Sequence, residues 1–396
     1  MNQNNKRYIR IGLIALLMIG CFLLGNYAVR YGIVIGKDSD NLKYAIQSIE
    51  KYPELVTLLE VRNDIEYLYT GDINSKELIE NATKAMTETL GDPYTVYMNE
   101  KEYKKYMESN SGSFMGIGVY LSLEDSNIIV TGVMEDGGAE AAGMKVGDVI
   151  KTIDDKDVSG DLNKAVSLLS GEKEQVLKLL IERQNEGNIE LKVKRSKIKT
   201  ISVESEMLED NVGYIRLKSF SKNCSKEFSK ELDSLLDKGM KGLVLDLRDN
   251  GGGYLNEAIN IASEFIDKGK IVTYTIDKYD KKIEYKAVGE NTVNIPITIL
   301  INGNSASASE VLTGALRDYE VAKTVGTTSF GKGIVQEVFH LSSGEGGFKV
   351  TVSKYYTPNG ENIHKTGIAP NYEVELSEGT DNQLEKAIEV IKDEIK

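Results

Sequence analysis

The chain has 396 residues, 28% of them charged and 41% hydrophobic, and a net charge of -13. That length allows two or three domains with cores of their own, and the acidic balance argues against a nucleic-acid-binding face. Cys21 and Cys224 are too far apart in character and position for a disulfide framework. His340 and His364, the two histidines, leave little for a His/Cys zinc site or a Ser-His-Asp triad.

Lys6, Arg7 and Arg10 precede Ile11 to Val29, nineteen residues without a charge. As a helix they span roughly 28 Å, close to a hydrocarbon core of about 30 Å. Basic residues ahead of the span predict a cytoplasmic N-terminus, with the rest of the chain outside the cell membrane. No clear Ala-x-Ala site follows, so the expectation is an uncleaved, single-pass signal-anchor rather than a removed signal peptide. Gly20-Cys21 has a faint likeness to a lipoprotein site. Apolar residues continue past it, which favours a cysteine inside a membrane helix.

Ser39 to about Asn110 reads as helical. Leu55, Leu58, Leu59, Arg62, Ile65 and Leu68 form a broken i, i+3, i+4 stripe. A second helix is predicted from about Ser75 to Leu90, with Leu78, Ile79, Ala82 and Met86 on one face and Gly91 and Pro93 as its stop. The stretch reads as a small helical cap packed on something larger.

Ser111 to about Arg195 changes texture. Gly116-Ile117-Gly118-Val119-Tyr120 begins a strand, Ile128 to Val133 makes another, and a helix is predicted from about Leu162 to Leu169. Between them lies Ala142-Gly143-Met144-Lys145-Val146-Gly147-Asp148-Val149-Ile150. In this order the segments resemble a PDZ domain. Glycines let successive N–H groups converge on a carboxylate while the adjoining strand edge pairs with an extended peptide. The resemblance assigns peptide binding to Met115, Gly116, Ile117, Gly118 and Val119.

Ser202 to about Val374 alternates strands and helices. Val212 to Leu217, Gly242 to Arg248 and Ile295 to Ile301 read as strands, the last two apolar and buried, and Asn256 to Ile266 as a helix. Asp381 to Lys396 is an amphipathic helix with Leu384, Ala387, Ile388 and Ile391 on one side. That face fits either its own core or a second subunit.

Three segments carry chemistry. In Ser305-Ala306-Ser307-Ala308-Ser309-Glu310 a buried strand ends, small residues turn, and a helix begins. Free N–H groups at a helix start can stabilise an oxyanion, although a serine there is most often a cap. In Phe330-Gly331-Lys332-Gly333-Ile334-Val335-Gln336, the lysine and glutamine are four apart and share one face. A lysine base must be neutral, which requires burial. A glutamine can orient it without adding negative charge. Gly326 to Lys332 imitates a P-loop, but Gly333 replaces the Ser or Thr and a strand follows instead of a helix, so nucleotide binding is not expected. In Asp246-Leu247-Arg248-Asp249-Asn250-Gly251-Gly252-Gly253, a strand runs into glycines whose N–H groups can complete an oxyanion hole.

Together with the preceding PDZ segment, these motifs resemble the carboxyl-terminal processing peptidase (tail-specific protease) family over about Leu90 to Pro370, with Gly91-Asp92-Pro93-Tyr94 and Thr357-Pro358-Asn359-Gly360 as further echoes. The resemblance implies a multidomain α/β fold, with a crotonase-like α/β protease core and the PDZ domain over the active-site tunnel. It assigns the nucleophile to Ser307, the base to Lys332, 25 residues on, and the orientation of that base to Gln336. Oxyanion donors are then Ala308 N–H and the N–H of Gly252 or Gly253. No metal or cofactor is implied. Two departures stand out: Gly251 occupies a position where many members carry proline, and Ser170 one where some carry an arginine that couples PDZ and protease.

The expected organisation is a basic stub and anchor (1–38), an N-terminal helical region (39–110), a PDZ domain (111–196), a Ser/Lys protease core (197–376) and a C-terminal helix (377–396). The expected function is a serine endopeptidase that reads substrate C-termini and cleaves exported proteins. It would act as a homodimer formed through the N-terminal helices and the tail helix. The alternative is a catalytically inactive PDZ scaffold tethering exported partners at the membrane.

Overall fold

The computed structural model describes residues 47–289, 292–342 and 346–395. The expected anchor, Ile11 to Val29, lies outside the described residues. Among those that are described, no helix is long and apolar enough to cross a membrane.

The chain divides into two units, one ending at Thr83 and one running from Lys84 to Lys396. The first holds α1 (Glu54–Leu68) and most of α2 (Ser75–Glu88), tied by a 2.8 Å hydrogen bond from Arg62 Nη2 to Ser75 Oγ. No residue of α1 is buried, so among the described residues nothing fully covers the stripe read from the sequence.

The stretch from 39 to 110 is not wholly helical. Val96–Met98 is a strand, β1, followed by α3 (Glu100–Asn110), whose N-cap Asn99 and Glu102 form a reciprocal capping box. β1 exists because it adds to the edge of a strand some 250 residues later, a partner that local periodicity cannot register.

Seven strands build the next sheet: β2 (Ser113–Gly116), β3 (Val119–Glu124), β4 (Asn127–Val133), β5 (Val149–Ile153), β6 (Lys156–Asp157), β7 (Gln175–Arg183) and β8 (Gly187–Lys199). Their order is β2-β8-β7-β5-β4-β3, with β6 on β5, so β3 is an edge. Helix α4 (Leu162–Leu169) starts at Asp161, whose side chain accepts from Lys164 N–H. Ala165 and Leu169 of this helix join Ile128, Val130, Leu179 and Ile181 in a separate core. Asp148 is fully buried there. Burial alone would raise its carboxyl, but the Arg183 guanidinium at 2.7 Å overrides this and holds it low.

The remaining core carries a six-stranded sheet of β9 (Val203–Met207), β10 (Val212–Leu217), β11 (Gly242–Asp246), β14 (Ile297–Ile301), β15 (Ala322–Gly326) and β18 (Tyr372–Glu373). The order is β18-β15-β14-β11-β10-β9, parallel except for β9. β11 and β14 are buried at every position, as a sheet covered on both faces requires. Leu243, Leu245, Ile297 and Ile299 face α5 (Cys224–Asp237), α6 (Leu255–Ala262) and α7 (Ala308–Asp318). Val244 and Leu300 face the opposite way, onto α8 (Asn382–Ile395). Each such Leu or Ile contributes about 1.5–3 kcal/mol when fully buried. The apolar side of α8 is therefore spent on its own sheet, through Ala387 and Ile391, and is not available to a second subunit. This corrects the tail-helix part of the expected dimer contact.

A second sheet of this core joins β12 (Ile271–Asp277), β13 (Lys282–Lys286), β16 (Ile334–His340) and β17 (Gly347–Tyr356) to β1. The segment after Lys332 is thus a strand, as the P-loop argument required.

Candidate active site

β14 delivers the chain into the three serines. Ser305 is fully buried; its hydroxyl donates to Leu247 O at 2.7 Å and accepts from Asn302 N–H at 3.0 Å. Ser309, also fully buried, donates to Asn250 O at 2.8 Å. Both are occupied in holding the loops of β11 and β14 together. Ser307, only half-buried, lines a cavity of about 540 Å³. It sits at the entrance of α7 with φ 58° and ψ -111°, a region that costs a non-glycine residue about 1–3 kcal/mol. Strain at this one serine marks a position that the fold maintains against local preference. The next residue, Ala308, begins the helix with an N–H that has no partner among the described residues.

The turn after β11 packs directly against Ser307. Asn250 is fully buried and anchors this turn: its Nδ2 donates to Leu217 O at 2.6 Å, and its backbone oxygen accepts from Ala306 N–H at 3.0 Å. A Cβ on Gly252 would lie 2.7 Å from Ala306 O, 2.9 Å from Ser307 Cβ and 3.0 Å from Ala308 N. The two glycines proposed as donors differ. Gly252 N–H is already taken by Asn250 Oδ1 at 2.9 Å. Gly253 forms a parallel bridge with Phe220, in which the bonds run through Gly252 O and Tyr254 N–H. Its own N–H therefore points away from Phe220 and has no partner among the described residues. Asp249 fastens the same turn to the serine loop, accepting from Asn304 Nδ2 at 2.8 Å and Asn302 Nδ2 at 3.0 Å; these bonds hold its carboxyl below the usual range.

Lys332 reaches the same cavity from the other side. Gly331 and Gly333 flank it where a Cβ would strike the backbone of Gly367 and His364, so only glycine permits this close approach. The amine lies 4.8 Å from the centroid of the Tyr94 ring, and no carboxylate forms an ion pair with it among the described residues. Burial, and then the charge of Lys349, push its pKa down from the ordinary lysine value, while Glu310 and Asp92 pull the other way. Gln336 also lines the cavity, but its amide Nε2 donates to Thr351 Oγ1 at 3.5 Å and not to the lysine. The bond expected between Gln336 and Lys332 is absent from this structure. The pairing of Gln336 with Thr351 across β16 and β17 accounts for the difference.

Sequence reasoning gave Glu310 no role. It is 1% exposed and accepts four hydrogen bonds: from Ser307 N–H at 2.8 Å, Ser329 Oγ at 2.6 Å, Gly331 N–H at 2.7 Å and Lys332 N–H at 2.9 Å. One carboxylate thus holds the backbone of both candidate catalytic residues. The available signal was the Ser-x-x-Glu spacing of a helix start. Asp92 is similar: it accepts from Thr95 Oγ1 at 2.6 Å and Thr351 Oγ1 at 2.7 Å, placing the Tyr94 ring by Lys332.

The residues assigned to peptide binding lie in the PDZ sheet, away from the Ser307 cavity. Met115 and Gly116 pair with Lys197 and Ser196 of β8. Ile117 points into the core, Gly118 O accepts from Met134 N–H, and Val119 opens the edge strand β3. Met115 and Val166 of α4 border a cavity of about 840 Å³.

Comparison with known proteins agrees with this architecture. Residues 211–374 match peptidase family S41, residues 129–183 a PDZ domain, and residues 36–102 the N-terminal domain of the activating protease CtpB. The chain is 39% identical over 309 residues to carboxy-terminal processing protease CtpA of Bacillus subtilis (strain 168), covering 78% of this chain and 66% of that protein. It is 35% identical over 338 residues to carboxy-terminal processing protease CtpB of the same organism, covering 84% of this chain and 68% of that one. It thus spans about two thirds of the length of these relatives. Among solved structures, the photosystem II D1 C-terminal processing protease aligns with a TM-score of 0.50 at 29% identity, over 82% of this chain and 89% of that one. The fold and the matched segments define a serine-type peptidase with a PDZ domain. The chain belongs to the carboxy-terminal processing proteases of family S41.

Proposed function

We propose that this protein is a serine endopeptidase in which Ser307 is the nucleophile and Lys332 the general base. The observation that carries the reading is that both line one cavity, with the lysine paired to no carboxylate among the described residues and depressed by burial. Neutral Lys332 removes the hydroxyl proton, and Ser307 Oγ attacks the scissile carbonyl carbon. The N–H groups of Ala308 and Gly253 receive the oxyanion. The Lys332 ammonium returns its proton to the leaving amine, and water, deprotonated by the same lysine, releases the acyl group. Gln336 keeps an amide oxygen that an ammonium at Lys332 can use as an acceptor, without adding a charge.

In the same reading, the free edge of β3 and the adjoining Ile117-Gly118 turn take the C-terminal residues of an exported substrate. A membrane helix at Ile11 to Val29 holds the enzyme on the outer side of the cell membrane, and a homodimer contact falls to the N-terminal helices.

Ser307→Ala and Lys332→Ala, assayed on an unstructured polypeptide such as β-casein, are each expected to lower turnover by on the order of 10³-fold or more, with binding retained. Undiminished cleavage by both variants rejects the assignment. A substrate peptide amidated at its C-terminus is expected to be cleaved more slowly than the free acid, and equal rates remove the carboxylate-reading role.

A further inference from the structure

Lys332 shares the cavity wall with a second lysine. Lys349 lies on β17, opposite Val338 of β16 on one side and Val96 of β1 on the other. It is half-buried, lines the same cavity as Ser307 and Lys332, and places its amine 5.2 Å from the Tyr106 ring centroid. Among the described residues no carboxylate forms an ion pair with it. An unpaired, half-buried ammonium beside a candidate base is unfavourable for folding alone.

Two carboxylates face Lys332 and both have structural work. Glu310 fixes the loop from Ser329 to Lys332, and Asp92 clips its turn to Thr351 of β17. Their charges favour the ammonium form of Lys332, which has no basic lone pair. Burial of the amine opposes them, and so does a positive charge on the same wall. Of the other titratable groups nearby, Tyr355 on β17 is kept neutral by burial and the neighbouring Glu310. Burial would raise the Asp92 carboxyl, but its hydrogen bonds from Thr95 and Thr351 hold it low, and among the described residues the buried Nδ1 of His364 has no partner.

We propose that Lys349 is a positioning residue for the base: its ammonium offsets Glu310 and Asp92 and so keeps Lys332 neutral and able to accept the Ser307 proton. The two amines divide the roles according to their surroundings. Burial lowers the Lys349 amine as well, Asp92 opposes that and supports its charge, and Lys349 adds to the burial that lowers Lys332. The inference rests on Lys332 acting as the base.

The test is the pH dependence of kcat/KM for the full chain on fluorescently labelled β-casein, comparing wild type with Lys349→Gln, Lys349→Met and Lys349→Arg. A base works in its neutral form, so the rate rises as pH passes upward through the pKa of Lys332. Removing a nearby positive charge raises that pKa. The acid limb is expected to move to higher pH by on the order of one unit in the Gln and Met variants, about a tenfold loss on the limb that vanishes on the alkaline plateau. Lys349→Arg keeps the charge and is expected to keep the wild-type limb. A uniform loss at all pH values, or an Arg variant that shifts like Gln, overturns the proposal.

Competitive acetylation of Lys332 across pH, read by mass spectrometry in the Ser307→Ala background, measures the same midpoint without catalysis. A midpoint unmoved by Lys349→Gln also overturns it. Full activity in Lys332→Ala refutes the Ser/Lys reading itself. An inactive Lys332→Ala variant with an unmoved limb in Lys349→Gln refutes only the role of Lys349.

Discussion

The two halves of the candidate site are built from different materials. Ser307 stands at the entrance of α7, a helix buried from Ala308 to Leu316 and fed by a strand buried throughout. Lys332 stands just ahead of β16, of which only Ile334 is buried. The candidate nucleophile is therefore backed by dense packing, which resists displacement. The candidate base is placed by polar ties across a loop. The difference shows where geometry is vulnerable: the serine has a buried helix and strand behind its polar ties, whereas the lysine relies on a few acceptors.

Glu310 is where the two halves meet, and its removal is the strongest way to break the contrast. Glu310→Ala leaves three backbone N–H groups and the Ser329 hydroxyl without their acceptor. The expected cost is roughly 3–5 kcal/mol in denaturant unfolding, with kcat lower by about 10²-fold or more as the lysine loop drifts from the serine. Wild-type stability and kcat in this variant would mean that the halves hold themselves independently. Glu310→Gln keeps the volume and one acceptor oxygen, and is expected to fall between.

A smaller effect is expected on the serine side. Gly252→Ala puts a methyl group within 3.0 Å of Ser307 Cβ and Ala308 N at a backbone φ of 98°. Since the core holds α7 in place, the turn from Gly251 to Gly253 is the part that yields. That shift should carry the Gly253 N–H off the proposed oxyanion position and reduce kcat by about 10²-fold, the range seen for loss of one such donor, with KM little changed. Steady-state kinetics on β-casein checks this. A variant that instead raises KM alone would place Gly252 on the substrate path and not behind the oxyanion.

The same contrast governs what the sequence disclosed. Elements set by local apolar pattern were legible: β11 and β14 as continuous apolar runs, α4 over Leu162–Leu169, and the strand after Lys332. Ser307 was singled out by the spacing of a resembled motif. The structure adds an independent physical reason, since Ser305 and Ser309 are consumed by backbone oxygens. Features made by long-range polar contact were not legible. β1 pairs with residues 347–349, Glu310 acquires its partners only when residues 329–332 fold back over α7, and Gly252 differs from Gly253 only through the Asn250 side chain. The amphipathic tail left two partners open, and the sheet face of Val244 and Leu300 decided between them.

Gln336 gives the mildest and most discriminating test of the base side. Its expected task is to orient Lys332, yet in this structure its amide donates to Thr351 Oγ1, which itself donates to Asp92. If Gln336 acts only on the ammonium formed during turnover, its contribution is one neutral acceptor, worth about 1 kcal/mol and so roughly tenfold or less in kcat. Gln336→Ala should then lower kcat by that factor and slow Ser307 phosphonylation by a fluorophosphonate to a similar extent, since proton transfer to Lys332 forms the ammonium in both reactions. A fall far beyond tenfold in both would instead mean that Gln336 positions the resting amine. In that event the bond to Thr351 is one of two alternatives that the side chain takes up during the cycle.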